Sequence, residues 1–142
     1  MAIISKGIIV NNNSMSFGNY KATDKIKVDD FEHNGNIYLV RTHKDVTRLV
    51  KNGELLCETV PGATVHNFSV DDKICRFEIE GIGNCQITLC LEPLVEYTLK
   101  IGDDRPIALT NNASGKITFS ISLNEKTAQR VEIQKAEEAK EA

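Results

Sequence analysis

Three histidines, four cysteines and three aspartate doublets are the residues of this 142-residue chain with chemistry to offer. A hydrolase needs a carboxylate pair, a nucleophile beside its base, or a metal cluster. His33, His43 and His66 have Glu32, Asp45 and Val65 as near neighbours, with no recurring spacing, and read as surface or loop histidines. Cys57, Cys75, Cys85 and Cys90 form no Cys-x-x-Cys, and no histidine stands at zinc spacing from them. Reduced thiols are expected. Asp29-Asp30, Asp71-Asp72 and Asp103-Asp104 fall where turns are expected, and none opens the Asp-x-Asp-x-Asp-Gly loop that wraps calcium. Ser114-Gly115 and Gly81-Ile82-Gly83 lack the strand-to-helix setting of a nucleophile elbow or a phosphate loop. The expectation is a chain with no catalytic residue, no cofactor and no metal.

Composition narrows the partners. Lys plus Arg total 17 against 20 for Asp plus Glu, a net charge of −3. Binding nucleic acid by bulk electrostatics needs a clustered basic excess, so that class is set aside. No stretch approaches the roughly 20 apolar residues of a membrane span, so no membrane insertion is expected. Hydrophobic residues make up 41% and charged ones 26%, the balance of a globular chain of one domain's length. The opening Met1 to Val10 is apolar, but Lys6 interrupts it and Asn11, Asn12 and Asn13 follow without a small-residue cleavage site. It reads as a strand of a protein made in the cytoplasm without a signal peptide.

The elements that must position these residues are strands. Turn signals recur every eight to twelve residues, as in an all-β sandwich or barrel. Asn52-Gly53 supplies the two positive-φ residues of a type I′ hairpin. A flush hairpin there sets Lys51 opposite Glu54, Val50 opposite Leu55, Leu49 opposite Leu56 and Arg48 opposite Cys57. Pro61-Gly62 reads as a type II turn. Cys75, Phe77 and Ile79 alternate with polar residues, as do Cys85, Ile87, Leu89 and Leu91; a three-residue Gly81-Ile82-Gly83 loop would join them as a hairpin. The odd alternation continues through Val95, Tyr97, Leu99 and Ile101. A short edge strand at Ile107 and Leu109 begins at Pro106. Ile117, Phe119, Ile121 and Leu123 follow, then Val131 and Ile133. Upstream, Tyr20 to Val28 and Asn36 to Thr42 read as strands. About ten short strands imply an antiparallel β-sandwich over 17–134. A strand or arm covers 1–16, and a polar tail at 135–142 is helical or solvated.

Certain stretches carry a family likeness. Thr59-Val60-Pro61-Gly62, the run Gln86 to Pro93 with Tyr97 beyond it, Thr110-Asn111, and Ser114-Gly115-Lys116 before Phe119-Ser120 are the residues concerned. Through them the chain resembles short single-domain proteins of clostridia and related Firmicutes, often labelled endosialidase, over 17–134. Its second half is similar to immunoglobulin-like β-domains of bacterial polysaccharide-processing enzymes, which implies an immunoglobulin-like sandwich. Sialidases carry an arginine triad and a Tyr–Glu pair on a large propeller. Here Arg41, Arg48, Arg76, Arg105 and Arg130 are scattered, Trp is absent, and the chain is far shorter than a propeller. Catalysis is not expected.

The expected function is a structural or self-assembly module, a homo-oligomer or a decoration on a larger phage-like or filamentous particle. The alternative is a carbohydrate-binding accessory domain, with Tyr20 and Tyr38 as outward aromatics for a glycan. The candidate interface is a cross-strand Leu49–Leu56 pair on the outer face, with Cys90 also out of phase. Ile3, Ile4, Ile8 and Ile9 would cover that face, from the same copy or a neighbouring one.

Overall fold

Alternating apolar and polar residues give each strand one buried face, and two such faces must close on each other. The computed structural model describes residues 7–10, 14–71, 73–92, 95–109 and 115–135. Among them thirteen strands, rather than about ten, pair antiparallel in two sheets, with no helix. The chain is an all-β sandwich. One sheet has seven strands, in the spatial order β1 (Ile8–Val10), β2 (Met15–Phe17), β7 (Thr64–Val70), β8 (Ile74–Glu80), β13 (Gln129–Lys135), β10 (Tyr97–Ile101) and β11 (Ile107–Leu109). The other has six: β12 (Lys116–Leu123), β9 (Gly83–Cys90), β6 (Glu54–Val60), β5 (Val46–Lys51), β4 (Asn36–His43) and β3 (Ile26–His33).

The odd-numbered alternation is the core. Cys75, Phe77, Ile79, Cys85, Ile87, Leu89, Tyr97, Leu99, Ile117, Phe119, Ile121, Leu123, Val131 and Ile133 are all buried. Leu91, Val95, Ile101 and Leu109 are half-buried against it, and Ile107 is 54% exposed, because β11 is the edge of its sheet. Phe68 sits between Phe17 and Phe77, with ring centroids 5.6 Å from each.

Several expectations are corrected. β8 and β9 are not a hairpin: β8 lies between β7 and β13, and β9 between β12 and β6. The two strands lie in opposite sheets, and each turns its odd residues to the core, the same parity a paired hairpin would show. Pro61-Gly62 is not a type II turn, since Gly62 has no positive φ. It carries the crossing from β6 to β7, and a Cβ there would stand 2.0 Å from the His43 carbonyl oxygen. Glycine is needed at 62 for close approach. The strand expected from Tyr20 begins at Ile26, and Lys135 ends β13 rather than opening a tail. Residues 136–142 lie outside the described residues. Asp29-Asp30 belongs to β3 rather than to a turn. β1 and β2 extend the seven-stranded sheet through β7, so the described part of 1–16 is built into the sandwich.

The Asn52-Gly53 turn has φ of 51° and 84°, and Asn34-Gly35 joins β3 to β4 in the same way, with 53° and 81°. Lys51 opposes Glu54 and Val50 opposes Leu55 as expected, but the register then shifts. Leu49 opposes Cys57 and Arg48 opposes Glu58, leaving Leu56 as the extra residue of a β-bulge. The buried face of β5 is therefore Thr47 and Leu49, not Val46, Arg48 and Val50. A flush register would have set Arg48 against buried Cys57.

Phe77→Ala and Phe119→Ala should each cost about 3–5 kcal/mol in urea unfolding, as expected for an emptied aromatic site in a packed core. An unchanged midpoint would contradict their placement.

Candidate assembly interface

A two-sheet sandwich has four edge strands, each offering unpaired backbone groups to another chain unless something blunts it. β1 and β11 are three residues long, and Pro106 precedes β11. β3 is longer, with eight residues, but carries Lys27, Asp29, Asp30 and Glu32. Its register also shifts between Val28 and Phe31, where Asp30 takes a φ of 53°. These are the usual devices that discourage edge pairing.

β12 has only one of them, the charge of Lys116 at its first position. All eight of its residues pair with β9 without a register shift, and beyond Lys116 it has neither a charged residue nor a proline. Thr118, Ser120 and Ser122 are exposed on the outer face, and the Thr118 and Thr88 hydroxyls lie 3.2 Å apart. The Leu91 N–H donates to the Gly115 carbonyl, which sets the phase of the ladder. Odd residues then bond to β9, and the N–H and C=O of Thr118 and Ser120 point away from it. The Ser122 carbonyl, on the same side, accepts from Gln129 Nε2 at 2.8 Å. Among the described residues β9 is the only strand paired with β12.

The expected interface residues are divided by the fold. Leu49 is fully buried and lies in the core, so the outward Leu49–Leu56 pair does not exist. The outer-face apolar neighbours across β4, β5 and β6 are Leu39, Val50 and Leu55. Leu56 and Cys90 do come together, in a cleft of about 220 Å³ between the sheets that Val70, Ile74 and Tyr97 also line. Ile8 is buried and Ile9 exposed, while Ile3 and Ile4 lie outside the described residues. Tyr20 and Tyr38, the expected outward aromatics, are buried.

The most concentrated chemistry is a buried carboxylate. Glu80 is 0% exposed; the Tyr20 hydroxyl donates to its Oε2 at 2.9 Å, and His66 Nε2 lies 2.7 Å from Oε1. Both oxygens are thus occupied, which suits a fastening rather than a free base. Burial, reinforced by Glu80, pushes the Tyr20 hydroxyl well above the usual tyrosine range. The stability this pair contributes is present below pH 10 and is lost as the pH rises from there. No group of three or more metal-ligating side chains occurs among the described residues. His43 Nδ1 lies 3.8 Å from an Asp45 carboxylate oxygen, and His33 bonds to Asn34.

The four thiols are free. Burial raises all of them, Cys75 to about 12. Compared with known proteins, the chain matches no family model, no curated protein and no solved structure.

Native protein treated with a thiol reagent at neutral pH should be modified first at Cys90, the one half-buried cysteine, with Cys57, Cys75 and Cys85 protected. Peptide mass mapping reads the order. Rapid labelling of Cys75 would contradict the packing described.

Proposed function

We propose that the chain is a non-catalytic structural module that assembles with copies of itself, alone or as the decoration of a larger particle. The supporting observation is the contrast among the four edges: three are short, bulged or charged, and β12 is long, regular and uncharged along 117–123. An edge of that kind pairs with another strand by main-chain hydrogen bonds. Buried alternation on its inner side holds it in register for that contact.

Lysine on an edge strand is a natural block to such pairing, and proline at a position whose N–H faces outward removes a donor the fold does not use. Ser120→Lys and Thr118→Pro are the two tests. Light scattering should give the parent a mass above one chain and each variant the mass of one chain. Ser120→Lys should melt close to the parent diluted to single chains, because an exposed substitution away from special contacts is worth about 0.5 kcal/mol or less. A parent that stays a single chain at every working concentration overturns the proposal.

A further inference from the structure

We infer that the strand taken by the β12 edge is β12 of a second copy, running antiparallel about a two-fold axis that passes through Ser120 normal to the sheet. This rests on the assembly reading above and adds to it a partner, a register and a stoichiometry. Opposed residues in an antiparallel pair put their side chains on the same face. An axis at Ser120 sets Phe119 opposite Ile121 and Ile117 opposite Leu123 on the inner face. Thr118 then meets Ser122, and Ser120 meets itself, on the outer face. An aromatic faces a β-branched residue and hydroxyls face hydroxyls, both favourable cross-strand pairs. An axis between two residues would instead bring buried side chains opposite exposed ones.

Charge points the same way. Lys116 is the only charged residue of β12 and falls opposite Asn124 of the second copy, whereas a parallel in-register pair would stack Lys116 on Lys116. Ser120 exchanges both of its outward backbone bonds with its counterpart. The Ser122 carbonyl joins the ladder when the Gln129 amide that now holds it lets go. A two-fold contact uses each β12 edge once and leaves no matching edge free. The assembly closes at two chains, with the two six-stranded sheets joined into one.

Cross-linking tests the register. Ser120→Cys and Lys116→Cys are made separately on a Cys90→Ser background, oxidised mildly, and read by non-reducing gel beside the light-scattering mass. The axis puts the two copies of residue 120 about 5.5 Å apart, within disulfide range. Copies of residue 116 would be about 27 Å apart. The expected result is a linked dimer for Ser120→Cys, none for Lys116→Cys, and a mass that plateaus at two chains. Linking at both positions, or a mass that climbs with concentration, overturns the closed two-fold pair. A two-chain mass with no link at 120 removes this axis and leaves the assembly reading standing. A single-chain mass removes both.

Discussion

Strand sidedness has a period of two, and in this protein a single inserted residue, Leu56, decides which side faces in. With Cys57 buried on β6, a flush hairpin would carry Arg48 into the core beside it. An unpaired guanidinium there would cost several kcal/mol, far more than a bulge. The bulge instead sets Leu49 against Cys57 inside and Arg48 against Glu58 outside, with Arg48 Nε donating to a Glu58 carboxylate oxygen at 2.8 Å. The consequences run on to β4, because β5 hands its register to that strand: Val40 meets Leu49, and Thr42 meets Thr47.

That last pair anchors the polar part of the interior. The Thr47 hydroxyl donates to the Ala63 carbonyl at 2.8 Å and accepts the Ala63 N–H at 3.1 Å. It lies 2.8 Å from the Thr42 hydroxyl, which in turn accepts the Asn19 N–H at 2.8 Å. Two stretches of irregular chain, after β2 and between β6 and β7, are thereby fixed to one pair of threonines. Gly18 shows how close they lie, since a Cβ there would stand 2.3 Å from the Ala63 carbonyl oxygen. The same stretch after β2 carries Tyr20 over to Glu80. A buried carboxylate without partners would cost far more than one hydrogen bond, so Tyr20 and His66 are as necessary to β8 as its apolar face is.

Much of this was legible in the sequence. The alternation from Cys75 to Leu123 marks the core strands, and Asn52-Gly53 marks its hairpin. Pro106 marks an edge strand, as the position of β11 bears out. The partition into sheets was not legible, because two strands with matching parity look alike whether they are paired or stacked across a core. Nothing local announces the bulge either. Its signal is indirect: a flush register opposes Arg48 to Cys57, a conflict visible in the sequence once both strands are paired on paper. Asn34-Gly35 carries the same hairpin chemistry as Asn52-Gly53, but its flanking residues are too mixed to mark Ile26–His33 as a strand. For the candidate site, the uncharged run 117–123 can be read directly. Its position at an edge follows from the order of all the other strands.

Edge position is what gives that run its meaning. The outer face of the seven-stranded sheet is laid out in opposite charges: Arg130 faces Glu78, while Glu132 stands between Arg76 and Lys100. Such pairs favour one register over its neighbours, and like charges resist a slip of the strands. On the other sheet Arg48 and Glu58 do the same, and β3 spends its acids at an edge where another strand would otherwise fit. Charge thus recurs at opposed positions in both sheets and along the β3 edge, although Arg41 stands opposite Arg48. β12 has hydroxyls in those places. Threonine and serine neither repel a second strand nor demand a particular partner, and they tolerate water before contact and backbone bonding after it. A strand buried on its inner face, uncharged beyond Lys116 on its outer face and unpaired at its edge among the described residues is the ground on which the proposed pairing rests.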